Sequence, residues 1–220
     1  MSGAEQYVLE MEEKNVASFQ RLLAVWAKLV EEENFSPTDI LRLEMRATVE
    51  ATEVAALWLS AAESIEEKIV LGARCGDTAR HYTELRERLA ATGFDVATFD
   101  ARYGGYSKLF AFFRSLQTAE ERAASGAVTL RAFDLDRLRL FAKRCDDLGD
   151  AASAALLRGS LAQDAETHRE AGRQILVANA KNEESQARAR RSAYRTIELL
   201  GELSESSLLR KFLNRSISRR

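Results

Sequence analysis

The sequence predicts an all-α protein, on three observations. The chain of 220 residues contains a single proline, whereas a β-sandwich or barrel of this length needs many turns rich in glycine and proline. Apolar residues recur at helical spacing along almost the whole chain, and no segment shows the alternation of a strand. Since one hydrophobic core can serve about 250 to 300 residues, we expect one domain over residues 1–203, followed by a basic amphipathic tail at 204–220.

The helices follow from their apolar spacing and their start and stop signals. The clearest start has Ser36 as N-cap, Pro37 at the first helical position and Asp39 three residues after the cap. A later, shorter helix is expected between Asp134 as its cap and Gly149 as its stop. The expected helices span about residues 5–33, 37–60, 64–91, 106–132, 135–147, 150–180 and 185–203. Four long helices within about residues 36–180 should form a bundle, with additional helices at both ends of the chain.

The sequence also predicts the cellular compartment of the protein. No stretch of about 18 apolar residues could cross a membrane, and the N-terminus has acids where a signal peptide needs a basic start. We therefore expect a cytoplasmic protein. Cys75 and Cys145 lack Cys-x-x-Cys spacing and lie inside helical patterns, which favours reduced thiols over a disulfide or a zinc site.

The charges are unevenly distributed along the chain. Residues 186–220 contain nine basic and three acidic side chains, a local net charge of +6, while the rest of the chain carries −8. The basic residues are Arg188, Arg190, Arg191, Arg195, Arg210, Lys211, Arg215, Arg219 and Arg220. This segment could dock on its own domain or on a second subunit, and it could equally bind nucleic acid, a partner protein or an anionic membrane surface. A homodimer is the expected assembly, with the first helix either covering the bundle or forming the dimer contact.

Polar residues at core positions of the helical repeat indicate an interior site. In the second helix Glu50 takes the place of an apolar core residue, and in the helix at about 150–180 Asp164 and His168 take two adjacent core positions. In the third helix Asp77 and His81 lie one turn apart beside the inner face. Buried polar groups must find one another, a metal or water, because burying them unpaired costs several kcal/mol.

The fourth predicted helix supplies one further acid. Glu120 has apolar neighbours at helical distances, whereas Glu121 is flanked mainly by polar residues, so Glu120 is the better inward candidate. The two histidines of the chain both occur as Asp-x-x-x-His, in GDTARH and QDAETH, and each follows one of the inward glutamates, Glu50 or Glu120. This symmetry resembles an internal duplication of a helix pair.

With these residues the sequence resembles the ferritin-like superfamily of carboxylate-bridged di-iron proteins, in which two helices each give a Glu and two give Glu-x-x-His. Within it, RHYTELRERLAATGFD and AEERAA are similar to segments of bacterial hydroxylases that act on a modified adenosine in tRNA. The resemblance covers about residues 36–180. It implies a ferritin-like four-helix bundle and a non-haem metal-dependent oxidoreductase.

The resemblance also implies a set of metal ligands. Glu50 and Glu120 match the glutamates of the single-Glu helices, and His81 and His168 match the two histidine ligands. Asp77 and Asp164 match the acids that hold a ligand histidine from outside the coordination sphere. The departures fall at Thr78 and Ala165, which stand where the family has the glutamate of each Glu-x-x-His.

Three interpretations stay open on the sequence alone. In the first, Glu50, His81, Glu120 and His168 bind iron, manganese or zinc in a mono- or dinuclear site, with Asp77 and Asp164 as substitute ligands. In the second there is no metal, and the same groups form a buried layer of Asp–His pairs in a scaffold or partner-binding protein. In the third, one histidine is a general acid or base without a metal.

Overall fold

The computed structural model describes residues 2–204, which contain helices, turns and loops but no strand. Its α-helices are α1 (Gly3–Glu32), α2 (Pro37–Ala61), α3 (Ile65–Ala91), α4 (Lys108–Ser115), α5 (Ala119–Arg122), α6 (Leu130–Asp147), α7 (Ala151–Leu156), α8 (Ala162–Asn179) and α9 (Glu183–Ser204). A short 3₁₀ helix lies at Val96–Thr98. Two π-helical segments, Ala123–Thr129 and Leu157–Leu161, connect α5 to α6 and α7 to α8 without an intervening loop. The predicted all-α class is therefore confirmed for the described residues.

The start of α2 confirms the capping signal. The Ser36 hydroxyl accepts a hydrogen bond from the Asp39 backbone N–H at 3.2 Å, and the Asp39 carboxylate accepts one from the Ser36 backbone N–H at 3.1 Å. Pro37 occupies the first helical position, where its missing N–H has no consequence. This capping box fixes the register in which α2 presents its residues to the interior.

The prediction for residues 106–147 was wrong in where the chain breaks. Leu116 ends α4 in an extended conformation, and Thr118 begins the next helix by accepting a hydrogen bond from the backbone N–H of Glu121. From there the helix continues to Asp147. Asp134, the expected cap, lies inside α6, where its carboxylate pairs with Arg131 and Arg137 one turn away on each side. Glu120 is therefore in the first turn of a long helix rather than at its centre.

Four long segments enclose the interior, and further helices cover them. α2 packs along α3, while α8 packs against α6 and the π-helical segment before it. Gly172 permits this last approach, since a Cβ there would lie 2.1 Å from the Cβ of Ala127. From α1, the Trp26 ring reaches the Phe141 ring of α6 with their centroids 5.8 Å apart, so the first helix covers the bundle.

Two further properties concern residues 2–204. None of the helices in this range combines the length and the apolar character needed to cross a bilayer. Cys75 and Cys145 are both free thiols, as the sequence predicts, and burial raises the pKa of Cys145 to about 12. The predicted tail at 204–220 lies, apart from its first residue, outside the described residues.

Candidate functional site

The candidate site is a cavity of about 150 Å³ inside the bundle, bordered by residues of α2, α3, α6 and α8. Its apolar wall includes Phe110, Phe113 and Leu130. Its polar and charged lining residues are Glu44, Arg46, Thr48, Glu50, Arg74, Thr78, His81, Ser107, Arg131, Asp134, Arg137 and His168. Both predicted histidines and Glu50 therefore reach one interior space. Thr78 and Ala165, the two positions without the expected glutamates, line the same space.

The two predicted Asp–His turns are joined to each other across the bundle. Nε2 of His81 on α3 lies 2.7 Å from the Asp164 carboxylate of α8, and Nε2 of His168 on α8 lies 2.9 Å from the Asp77 carboxylate of α3. Each aspartate thus binds the histidine of the other helix rather than its own. These reciprocal bonds fix the register of α3 against α8, because a shift by one turn would break both.

Arg80 links the two pairs on their outer side. It donates hydrogen bonds to Asp77 and to Asp164, so the four residues of the Asp–His pairs belong to one network. Burial alone would raise the pKa of Asp164, but the hydrogen bonds from Arg80 and His81 outweigh it and lower that pKa below its ordinary value. Asp164 is therefore a stable carboxylate acceptor.

His168 is an uncharged ring at neutral pH. Burial and the repulsion of Arg131 lower its pKa to about 4, against the attraction of Asp77. The ring is only 6% exposed, and Arg74 adds to the repulsion. Within residues 2–204, Nδ1 of His168 and Nδ1 of His81 make no hydrogen bond, since each ring is bonded only through Nε2.

The Glu50 carboxylate binds Ser107, the residue that precedes α4. It accepts hydrogen bonds from the backbone N–H of Ser107 at 3.0 Å and from the Ser107 hydroxyl at 2.5 Å. Ser107 is the N-cap of α4, and Arg46 lies 3.4 Å from the same carboxylate. Glu50 therefore faces the cavity, as its core position predicts, while it anchors the start of α4.

Glu120 is buried but does not reach the histidines. Its carboxylate pairs with Arg188 of α9 at 2.7 Å, and Glu121 instead closes the capping box on Thr118. Glu120 is thus the more buried of the two acids, as predicted, yet it points towards α9. Within residues 2–204, no group of three or more His, Cys, Asp or Glu side chains is arranged to hold a metal ion. The four predicted ligands Glu50, His81, Glu120 and His168 are therefore not gathered into one site.

Sequence reasoning missed a charged cluster in the wall of the same cavity. Buried Arg137 pairs with Glu44 of α2 and with Asp134 on its own helix. Burial alone would lower the pKa of Arg137, but these two carboxylates raise it above its ordinary value. Arg131 pairs with Asp134 at 2.7 Å.

The helical repeat contained a signal for the missed arginines. Arg74 falls in the seam Leu71, Arg74, Thr78, His81, Leu85, which alternates steps of three and four residues. Arg131 falls in the equivalent seam of Ala124, Val128, Arg131, Leu135 and Leu138. A search of core positions for arginine as well as for acids and histidine would have found both.

The basic segment is partly engaged by its own domain. Arg188 binds Glu120 and Glu184, and the Arg190 guanidinium lies over the Tyr7 ring at 5.6 Å. These contacts dock α9 on α1 and α5, in keeping with the docking interpretation. The basic residues from Arg210 onward lie outside the described residues, and a nucleic acid, protein or second-subunit partner stays a prediction.

No protein-family model, curated protein or solved structure matches this chain.

Proposed function

We propose that this chain is a metal-free binding protein on a ferritin-like bundle, with a ligand cavity where the resemblance implies a metal centre. The observation that carries the proposal is the position of Thr78 and Ala165, which line the cavity beside His81 and His168. A glutamate at each of these positions would place a carboxylate there. Small side chains leave space instead.

The residues present do not fit the metal centre that the resemblance implies. Two of its carboxylates are absent at Thr78 and Ala165, and Glu120 is held by Arg188. The positive charges of Arg131 and Arg74 disfavour the protonated form of His168, and the same charges would oppose a bound cation. The cavity therefore favours a neutral or anionic occupant over a metal ion.

In this proposal the Asp–His pairs have a structural task. They tie α3 to α8 through His81–Asp164 and His168–Asp77, and so they hold the faces of these two helices that line the cavity in one register. Removing one partner leaves a buried polar group unsatisfied, which costs roughly 1 to 3 kcal/mol.

A metal-dependent oxidoreductase of the hydroxylase type is the second candidate, and one observation favours it. Both imidazole rings line the cavity, and neither Nδ1 is hydrogen-bonded to a described residue. His81 and His168 are therefore the ligands through which iron, manganese or zinc would have to bind.

Metal analysis separates the two candidates. We expect the purified chain to hold well below one equivalent of iron, manganese or zinc, both as isolated and after anaerobic reconstitution followed by gel filtration. His81→Gln and His168→Gln should leave this content unchanged. One equivalent of metal that both variants lose would establish the second candidate and overturn the proposal.

A further inference from the structure

The cavity has one more cation than it has carboxylates. Among residues 2–204, four guanidinium groups and three carboxylates line it. The ion pairs that neutralise three of the guanidinium groups are Arg46–Glu50, Arg137–Glu44 and Arg131–Asp134. Arg74 makes no ion pair with any residue in the described range 2–204, so the surplus charge belongs to it.

Arg74 is a buried charge with little compensation. Arg74 is 3% exposed, and its one hydrogen bond to a described residue, from Nη1 to the Gly126 carbonyl, is long at 3.5 Å. Its guanidinium also lies 5.7 Å from the Trp58 ring centre, and its Nε is buried without an acceptor. An unpaired buried cation is strongly unfavourable, which makes an anionic partner the expected complement.

Arg131 supplies a matching pair of donors. Its Nη1 donates to Asp134 at 2.7 Å, whereas its Nε and Nη2 are buried and have no acceptor among the described residues. Nε–H and Nη2–H lie on the same edge of the guanidinium plane, and their spacing suits the two oxygens of one carboxylate. A second, independent feature thus indicates a planar anion beside Arg74.

The apolar lining residues and the volume of the cavity indicate what kind of molecule would fit it. Phe110, Phe113 and Leu130 give it an apolar surface, and a cavity of about 150 Å³ accommodates a benzene-sized molecule. The indole N–H of Trp26, another lining residue, is also buried without an acceptor. Size, apolar wall and donors together describe a small molecule with one polar end.

We infer that the cavity binds a small organic monocarboxylate, held by the free edge of Arg131 and neutralising Arg74, with its carbon body against Phe110 and Phe113. The inference rests on the proposed function, because it names the class of ligand for that same cavity. A single negative charge matches the single surplus cation, whereas a phosphate dianion would leave an excess negative charge in the interior.

Benzoate is the first probe, and benzamide is its neutral isostere. We expect benzoate, titrated into the full chain by isothermal calorimetry, to bind one to one and at least ten times more tightly than benzamide. Hexanoate should also bind, since the class is defined by the carboxylate rather than by the ring. The intrinsic fluorescence of the two tryptophans, Trp26 in the cavity wall and Trp58 beside Arg74, gives a second measure of the same titrations.

Two variants test the assigned residues, and a third is their control. Arg131→Lys keeps the charge but removes the two-donor edge, and Arg74→Met removes the surplus charge, so each should weaken benzoate binding tenfold or more. Arg158→Met is the matched control, because Arg158 pairs with Asp146 at the surface and does not line the cavity. Its benzoate affinity should equal that of the unaltered chain.

The outcomes separate the inference from the proposed function. If benzamide binds as well as benzoate and Arg74→Met changes neither, the cavity binds ligands without a preference for anions, and only the inference is wrong. Inorganic phosphate competing as well as benzoate would overturn the carboxylate class. If neither benzoate nor hexanoate binds, the inference is also wrong. One equivalent of bound metal would overturn the proposed function together with the inference.

Discussion

Two buried guanidinium groups, Arg122 of α5 and Arg74 of α3, differ in whether a carboxylate neutralises them. Arg122 donates from Nε and Nη2 to the two oxygens of Glu67 at 2.8 and 2.9 Å, and both side chains are at most 5% exposed. Arg74 follows Glu67 by seven residues on the same face of α3, is equally buried, and has no carboxylate partner among residues 2–204. Both arginines, with His168, border a second and smaller cavity.

The two arginines show two different environments for a buried cation. At Arg122 it supplies a carboxylate with ideal two-point geometry, which is the arrangement that offsets desolvation. Two helical turns away it supplies only a carbonyl and an aromatic ring to Arg74. The Arg122 guanidinium therefore stabilises the fold. The Arg74 guanidinium lowers the stability of the ligand-free protein, and in our proposal it is compensated by a bound ligand.

The largest expected effect is at the paired site. Arg122→Met leaves the Glu67 carboxylate buried without its partner, and we expect a loss of about 3 to 5 kcal/mol in the free energy of unfolding. Urea denaturation followed by circular dichroism measures it. A loss below about 1 kcal/mol would mean that Glu67 is readily hydrated, and the contrast between the two arginines would then disappear.

A double variant serves as its control. Replacing both members of the pair, Glu67→Leu with Arg122→Met, removes the charge together with its partner, so most of the lost stability should return. A double variant as unstable as Arg122→Met alone would assign the effect to packing rather than to charge.

The architecture was predictable because helix formation depends on local signals. The capping residues at Ser36 and the apolar spacing define α2 and α3 in the sequence, and both histidines reach the cavity as their positions in the helical repeat predict. Asp164, which the repeat placed at a core position, and Asp77 instead stay partly exposed on the outer side, where both bind Arg80. The cross-pairing between the turns follows once both are placed at the same level of the bundle. The helix positions need only the helical repeat, whereas the cross-pairing also needs the packing of α3 against α8.

The partners of the two glutamates were not predictable in the same way. The break at Leu116 moves Glu120 to the first turn of its helix, about 16 Å along the axis from Arg131, and there α9 supplies Arg188. Glu50 reaches the cavity but meets Ser107 from a loop. Both contacts come from segments distant in sequence, and their positions depend on tertiary packing that no local pattern encodes.

The next effect concerns His168, which borders the smaller cavity together with Arg74 and Arg122. Its pKa falls from an ordinary value of 6.5 to about 4 in the folded chain, mainly through burial and Arg131. Between these values the unfolded chain binds a proton that the folded chain does not. Stability should therefore fall as the pH is lowered from about 6.5 to about 4, by roughly 3 kcal/mol from this group.

The measurement compares two proteins, because other acids titrate in the same range. His168→Gln keeps a donor for Asp77 but cannot be protonated, so its unfolding free energy should decline less between pH 7 and pH 4 than that of the unaltered chain. Parallel declines would show that His168 is not held neutral, and the cationic character of the cavity would lose its support.

The smallest expected effect is at Arg74, where the free energy of unfolding should rise rather than fall as it does in Arg122→Met. Arg74→Met removes an unpaired buried charge and keeps a long side chain against Trp58, so the ligand-free protein should gain about 1 kcal/mol, or roughly 2 to 4 °C in melting temperature. Burial and Arg131 lower the pKa of Arg74 to about 9, so this gain should shrink above that pH as the unaltered side chain loses its proton. A destabilisation as large as that of Arg122→Met would show that Arg74 is already satisfied in the folded chain and needs no anion, because only a compensated charge is costly to delete.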